Sequence, residues 1–377
     1  MLDLVPETVR LLPLLVGAFI AAAFLGYILT PMARSIAVRR GFVDRPGGRR
    51  VNTRPVPRAG GVAFAVAFLA VAIGVLVVGE TVPWITLSGA VDRGEMTALL
   101  AGGAVATVLG LLDDVFQLRA RWQLVGQVLL AAGAVWLGIE VVTLNDPFGP
   151  GRITLIPPIA LGFSVFWIVG MINSINFIDG LDGLSSGIGL IAALTLGVIS
   201  LTHASGPFGQ PVVAAMCFTL AGSLFGFLRW NFHPASVFAG TAGTMFIGYS
   251  LAVLSVLGTA KVVIALLVLG VPIIDAFWII VRRLANRKLP FSPDRGHIHH
   301  RLLDLGLSHM QTVLFIYVVC GGLALLSFVL SGTGQVYAFM GLVVLFGLGL
   351  FLLARGETGD ALEADAYEEP IPVRRGR

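Results

Sequence analysis

Residues Asn173 to Gly187 read N-S-I-N-F-I-D-G-L-D-G-L-S-S-G and sit between two long apolar runs. Asn173, Asn176, Asp179 and Asp182 recur at every third position. On an α-helix a step of three drifts by about 60°, so the four fan over half a cylinder; on a tighter 3₁₀ turn they align. Either geometry brings them to one region. Gly180 and Gly183 place no side chain between the carboxylates and let a ligand approach the backbone. A polar connector between two membrane helices needs one capping residue, not four. The pattern therefore predicts a binding surface at the end of a membrane helix.

The flanking composition sets the fold class. Of 377 residues 56% are hydrophobic and 12% charged, whereas a soluble domain carries about a quarter charged. With a mean hydropathy of +0.91, this predicts an all-α polytopic membrane protein embedded in a lipid bilayer. Runs near the length of about 20 residues that crosses the hydrocarbon core fall near 11–33, 60–79, 96–112, 121–140, 158–172 and 184–202. Five more fall near 211–228, 239–257, 262–281, 310–331 and 335–354, giving about 11 transmembrane helices. The first run follows Asp3, Glu7 and a single Arg10 rather than a basic segment, so a cleaved signal peptide is not expected.

Basic residues orient the chain. With loops after odd-numbered spans placed inside, all but Arg10, Arg93, Arg152 and Lys261 of the 25 Lys and Arg lie on the inner side. The N-terminus is then outside and the C-terminus cytoplasmic. Residues 1–354 form the membrane domain, and 355–377 read as a disordered cytoplasmic tail. Net charge is +4 and calls for no nucleic-acid partner, although the basic inner face suits phosphates. Cys217 and Cys320 fall in apolar runs and read as small core residues. The stretch V-V-T-L-N-D-P-F-G-P-G-R-I-T-L-I-P predicts a small outside β-hairpin.

The inside loops hold the chemistry. In the first, R-P-V-P-R-A-G-G fixes Arg58 between Pro57 and Gly60-Gly61, a rigid turn that aims a guanidinium. In the second, adjacent Asp113 and Asp114 close an apolar run, where repulsion and an opposed helix dipole call for a cation or basic group. In the fourth, Phe238 precedes a glycine-rich turn suited to cradling a phosphate or to packing helices. In the last, Asp275 lies about 10 Å before Arg282 along a helix, an ionisable group at membrane depth. There too His297, His299 and His300, with Asp294, Arg295 and Arg301, suit a borderline metal or a pyrophosphate; the cluster lacks cysteine and its spacing does not match the common zinc helix motif. Carboxylates, amides, basic groups and a glycine turn on one face predict phosphoryl transfer with Mg²⁺. The rival is a transporter that binds its solute at Asp275 and the Asn/Asp fan; bare outside loops count against it.

These residues resemble the polyprenyl-phosphate N-acetylhexosamine-1-phosphate transferases, relatives of the phospho-N-acetylmuramoyl-pentapeptide transferases. The resemblance runs from Asp44 to Arg301: R-P-V-P-R-A-G-G, the Asp113-Asp114 pair, N-S-I-N-F-I-D-G-L-D-G-L, the turn after Phe238 and P-F-S-P-D-R-G-H-I-H-H-R-L. The H-I-H-H-R-L form is similar to the N-acetylglucosamine branch, which starts lipopolysaccharide, teichoic acid or arabinogalactan linkers. It implies transfer of a sugar 1-phosphate from a UDP-sugar to a polyprenyl phosphate, UMP release and a homodimer. By that resemblance Asp113 or Asp114 positions or deprotonates the lipid phosphate. Asn176 and Asp179 hold Mg²⁺, or Mn²⁺, and the diphosphate, with Asp179 also counted among the catalytic residues. Asp182 helps hold the nucleotide and Phe238 stacks on uracil. Arg58, His299 and His300 neutralise charge, while Asn173, Asp275, Arg295 and His297 line the substrate site. The chain departs from the family at two places. Thr241 stands where the family has a metal-binding aspartate, and Asn52 where many members have His. Loss of a carboxylate predicts weaker metal binding, so a catalytically impaired member is the alternative.

Overall fold

The computed structural model describes residues 10–44, 55–82, 87, 91–149, 151–202, 210–257, 262–285, 296–330 and 332–349. They are mostly helical: α1 (Leu12–Arg40), α2 (Gly60–Thr81), α3 (Arg93–Phe116), α4 (Ala120–Trp136), α5 (Pro157–Ile178) and α6 (Leu184–Ser200). There follow α7 (Pro211–Asn231), α8 (Gly240–Val256), α9 (Val262–Val268), α10 (Gly270–Ala285), α11 (Ile298–Asp304), α12 (His309–Val329) and α13 (Thr333–Gly349). Every apolar run contains a helix. Among the described residues α1, α2, α3, α5, α7 and α12 are long and apolar enough to cross a membrane, six in all, or up to seven if α9 and α10 count as one span. That pair bends by 80°, just ahead of Gly270 and Pro272, where a proline removes a backbone donor.

Apolar side chains face both inward and outward, as lipid as a solvent allows. On α1, Leu15, Ala18 and Ala22 are buried, whereas Val16, Ile20 and Phe24 form an exposed stripe one turn apart. The innermost span is α7, with 83% of its apolar window enclosed. Small residues let its backbone meet α1: a Cβ on Gly226 would fall 2.0 Å from the Ala23 carbonyl oxygen. Phe64, Phe68, Phe227 and Phe246 fill the space between α2, α7 and α8.

Local signals close the helices. The α1 helix ends on Arg39, Arg40 and left-handed Gly41 (φ 76°). At the start of α12 the Ser308 hydroxyl accepts the Gln311 N–H while Gln311 Oε1 accepts the Ser308 N–H. Two short antiparallel ladders connect helices: β1 (Val43–Asp44) with β2 (Val56–Pro57), and β3 (Thr143–Asn145) with β4 (Arg152–Thr154). The first ladder leads straight into the site.

Candidate active site

The site is built where α8 begins. Arg58 and Phe238 form a parallel bridge: the Phe238 N–H donates to the Pro57 carbonyl, and the Gly60 and Gly61 N–H groups donate to the Phe238 and Ala239 carbonyls, each near 2.9 Å. This joins the loop before α2 to the loop before α8 by backbone. A Cβ on Gly61 would fall 2.1 Å from the Gly243 nitrogen, so this glycine pair serves helix approach.

Asp114 caps the same helix from α3. Its Oδ1 accepts the Thr241 N–H (2.9 Å) and its Oδ2 the Ala242 N–H (3.0 Å). The turn that admits it is left-handed Gly240 (φ 69°), where any Cβ would fall 2.6 Å from Asp114 Oδ2. Between the two expected roles of the glycine turn, the structure favours packing: its first amides hold a carboxylate of the chain itself. The helix N-terminus also explains how an acidic residue is tolerated at the end of α3, since partial positive charge faces it. Neighbouring Asp113 turns aside; its Oδ1 accepts from the Leu118 N–H and from the Gln123 side-chain amide.

Asp179 lies at the end of α5. Ser185 donates to its Oδ1 (2.5 Å). Burial pushes this carboxyl up to about 6; the negative charges of Asp114 and Asp182 act in the same direction, against Ser185 and Arg58. Arg58 is paired with Asp44 (2.9 Å). Asn176, one step earlier, accepts from the buried Thr244 hydroxyl of α8 (3.0 Å). Thr244 in turn reaches the Thr241 carbonyl (3.3 Å). Asp114, Asp179, Arg58, Asn176 and Thr241 thus belong to one centre.

The rest of the fan is split. Asp182 Oδ2 lies 2.8 Å from His233 Nδ1 and accepts the Ala235 N–H (3.0 Å); the Asp182 N–H donates to His309 Nε2 (2.9 Å). Asn173 leaves the site, donating to Gln127 (2.6 Å) and to the Val169 carbonyl. It ties α5 to α4 and has both donors committed.

The histidine segment is anchored by Asp275. This fully buried carboxylate contacts His297 Nδ1 (2.7 Å) and accepts the Ile298 N–H (2.8 Å), capping α11. Both oxygens are spent within the protein, which gives Asp275 and His297 an anchoring part in place of the expected contact with substrate or solute. Anchoring delivers the buried His299 ring onto Gly180, where a Cβ would fall 2.1 Å from His299 Nε2. Burial first, then neighbouring His300, His297 and His309, holds His299 well below the usual imidazole range, so it is neutral near pH 7. His300 is half-buried with its ring 4.4 Å from that of His299. Arg295, Asp294 and Asn52 lie outside the described residues.

Several contributors carry no local sequence signal. Ser186 donates to Asn231, whose amide donates to the Val237 carbonyl. Tyr317 donates to the Gly183 carbonyl, holding the D-G-L-D-G-L turn from α12. A groove of about 830 Å³ between α1 and α7, lined by Tyr27, Phe225, Arg229 and Trp230, includes His233 in its wall.

Hard oxygen donors gathered around a carboxyl that resists ionisation suit a divalent cation. Asp179 and Asn176 supply them, and Thr241 contributes its backbone N–H to Asp114 and its carbonyl to Thr244.

Comparison with known proteins makes the chain a membrane transferase, with these residues as its candidate site. Residues 96–259 match the model of glycosyl transferase family 4. The chain is 37% identical over 311 residues (81% of this chain, 82% of the relative) to a Bacillus subtilis protein named "Probable undecaprenyl-phosphate N-acetylglucosaminyl 1-phosphate transferase". It is 35% identical over 367 residues (90% and 89%) to the decaprenyl-phosphate N-acetylglucosaminephosphotransferase of Mycolicibacterium smegmatis. A Thermotoga maritima undecaprenyl-phosphate alpha-N-acetylglucosaminyl 1-phosphate transferase is 32% identical over 329 residues (85% and 91%). The chain belongs to glycosyl transferase family 4.

Proposed function

We propose that the protein transfers N-acetylglucosamine 1-phosphate, or a related N-acetylhexosamine 1-phosphate, from a UDP-sugar to a polyprenyl phosphate, releasing UMP and starting a cell-envelope polysaccharide. The observation that carries the reading is the gathering of Asp114, Asp179, Asn176 and Arg58 beside the first turn of α8, where Asp114 accepts two backbone N–H groups and Asn176 accepts the Thr244 hydroxyl. The relatives' names supply the acceptor class and the sugar phosphate. In this reading the site faces the cytoplasm of a plasma membrane, with the N-terminus outside and eleven crossings.

An oxygen of the acceptor phosphate attacks the sugar-linked phosphorus in line; that bond forms as the bond to the UMP oxygen breaks, and UMP leaves with the electron pair. A phosphate monoester is already largely ionised near neutral pH, its second pKa being about 6, so the step needs no strong base. Asp114 therefore positions: it fixes the first turn of α8 against α3. Arg58 offsets charge on the phosphates. His299, neutral at rest, orients by hydrogen bonding rather than by charge, and His300 stands beside it. Asp182 holds the nucleotide and Phe238 stacks on the base. Asp179 and Asn176 hold Mg²⁺, which screens the diphosphate charge when bound.

Thr241 favours a second reading, a member of the family with impaired catalysis. UMP release from UDP-N-acetylglucosamine with undecaprenyl phosphate and Mg²⁺, compared between the natural chain and Thr241→Asp, separates the two. Release by both supports the transferase; release only by Thr241→Asp supports the impaired member; release by neither overturns this donor and acceptor.

A further inference from the structure

Three ligating side chains converge outside the Asp114–Asp179 centre. Asp182, His233 and His309 each offer one donor atom, all within 4.8 Å of one another, and all three residues are half-buried. They come from the turn after α5, the loop between α7 and α8, and the first residue of α12. The two imidazoles stack with centroids 4.2 Å apart. Because His309 Nε2 accepts the Asp182 N–H, its proton lies on Nδ1 and the ring is in the neutral form that ligates metals. His233 Nδ1 faces Asp182 Oδ2 at 2.8 Å, and 39% of its side chain is exposed. The groove beside α1 gives access, since His233 lines it.

We propose that Asp182, His233 and His309 form a binding site for a borderline divalent cation of the Zn²⁺ or Co²⁺ kind. It is distinct from the oxygen-rich position at Asp179 and Asn176. Two imidazole nitrogens and one carboxylate oxygen are the donor set of open zinc sites, whereas Mg²⁺ prefers oxygen alone and keeps its water. Tetrahedral coordination at about 2.0–2.2 Å places donor atoms about 3.3–3.6 Å apart. The His233–Asp182 contact opens slightly to reach that spacing, and His309 exchanges its hydrogen bond with the Asp182 amide for the metal. His233 ligates through Nδ1 with its proton on Nε2. Water completes the shell, since none of the three residues is sealed from solvent.

Asp182 is shared with the nucleotide in the transferase reading, so the test uses no sugar nucleotide and its outcome does not depend on turnover. Tag-free full-length protein in detergent, stripped with a chelator, is titrated with Co²⁺ and followed by visible absorption. One equivalent with the intense d–d bands of low-coordinate Co²⁺, displaced by Zn²⁺ and not by excess Mg²⁺, is expected. His233→Gln and His309→Gln each weaken binding at least about tenfold, the scale set by loss of one ligand contact worth 1.4 kcal/mol, while His300→Gln leaves it unchanged. Absence of the bands in the natural chain overturns the site. So does binding that survives both variants, or that disappears with His300→Gln. If His309→Gln does not fold, as judged by size-exclusion behaviour, His233→Gln alone decides.

Discussion

Asp114 and Asp275 do the same job in two places, and they do it at different cost. Each carboxylate reaches from one helix to cap the start of another. Asp114 places its two oxygens on consecutive amides of α8, whereas Asp275 divides its oxygens between the Ile298 amide of α11 and the His297 ring. The former stands among Asp179, Arg58 and Thr241, where its charge is felt. The latter has no exposed surface. One capping carboxylate is thus part of the centre, while the other works at a distance by aiming a histidine segment. Carboxylate chemistry alone does not distinguish them; what surrounds the bonded oxygens does.

The largest expected effect is at Asp114. An Asn side chain has one acceptor oxygen for two amides and turns an N–H group toward the other. Asp114→Asn should therefore lower UMP release about 10²–10³-fold, as loss of a preorganised electrostatic group does. It should also destabilise the protein by about 1–3 kcal/mol, the cost of an unsatisfied buried donor, read as a lower melting temperature. Unchanged turnover would remove Asp114 from the centre.

Asp275→Asn should cost less. We expect turnover to fall about 10–100-fold, the range for loss of an outer positioning partner, with little change in KM for either substrate. A rise in KM alone would make Asp275 a substrate contact after all. Gly180→Ala tests what Asp275 aims. A methyl group there meets the His299 ring, and repacking costs about 1–3 kcal/mol, so turnover should drop about tenfold while Co²⁺ binding at Asp182 is unaffected.

A pH titration follows next. Asp179 is raised from 3.8 to about 6 in the fold, so the folded state binds its proton more tightly than the unfolded state. Its contribution to stability is fully present below pH 3.8 and is lost as pH rises through about 6. In metal-free protein the melting temperature should rise as pH falls from 7 toward 4. At about 1.4 kcal/mol per pH unit the span is at most about 3 kcal/mol. Asp179→Asn should flatten that profile, and a profile unchanged by the substitution would show that the carboxyl is not strained. The smallest effect is at Asn173. Because it bonds Gln127, Asn173→Ala should cost about 1 kcal/mol of stability and change turnover by no more than about threefold.

Local periodicity made much of this legible. Apolar runs marked the helices and the three-residue polar ladder marked Asn176 and Asp179, whereas R-P-V-P-R-A-G-G, read as a rigid turn, forms strand β2 and the bridge that leads into α2. Those features are encoded within a few neighbouring residues. The partners were not legible, because they come from distant sequence: Thr241 is 127 residues from Asp114, and His309 is 127 from Asp182. Ladder spacing placed Asn173 with Asn176, yet the helix drift turns it toward α4, where Gln127 receives it. Intramembrane depth made Asp275 read as a ligand group. Its partner, the Ile298 amide, is a backbone atom that no side-chain pattern announces. The bend between α9 and α10 did have signals, Gly270 and Pro272, but an unbroken apolar run concealed them.

The bridge between Arg58 and Phe238 also bears on how the protein is made. The Gly60 and Gly61 amides and the Pro57 carbonyl belong to an early segment of the nascent chain, while their partners at Phe238 and Ala239 are synthesised only after five more apolar helices have passed through the ribosome. Until then these groups must be satisfied by water at the membrane surface or by insertion factors. Assembly of the centre is therefore a late event in biogenesis, and a chain stalled before α8 has its first seven helices but no partner for the Pro57–Gly61 backbone to close against.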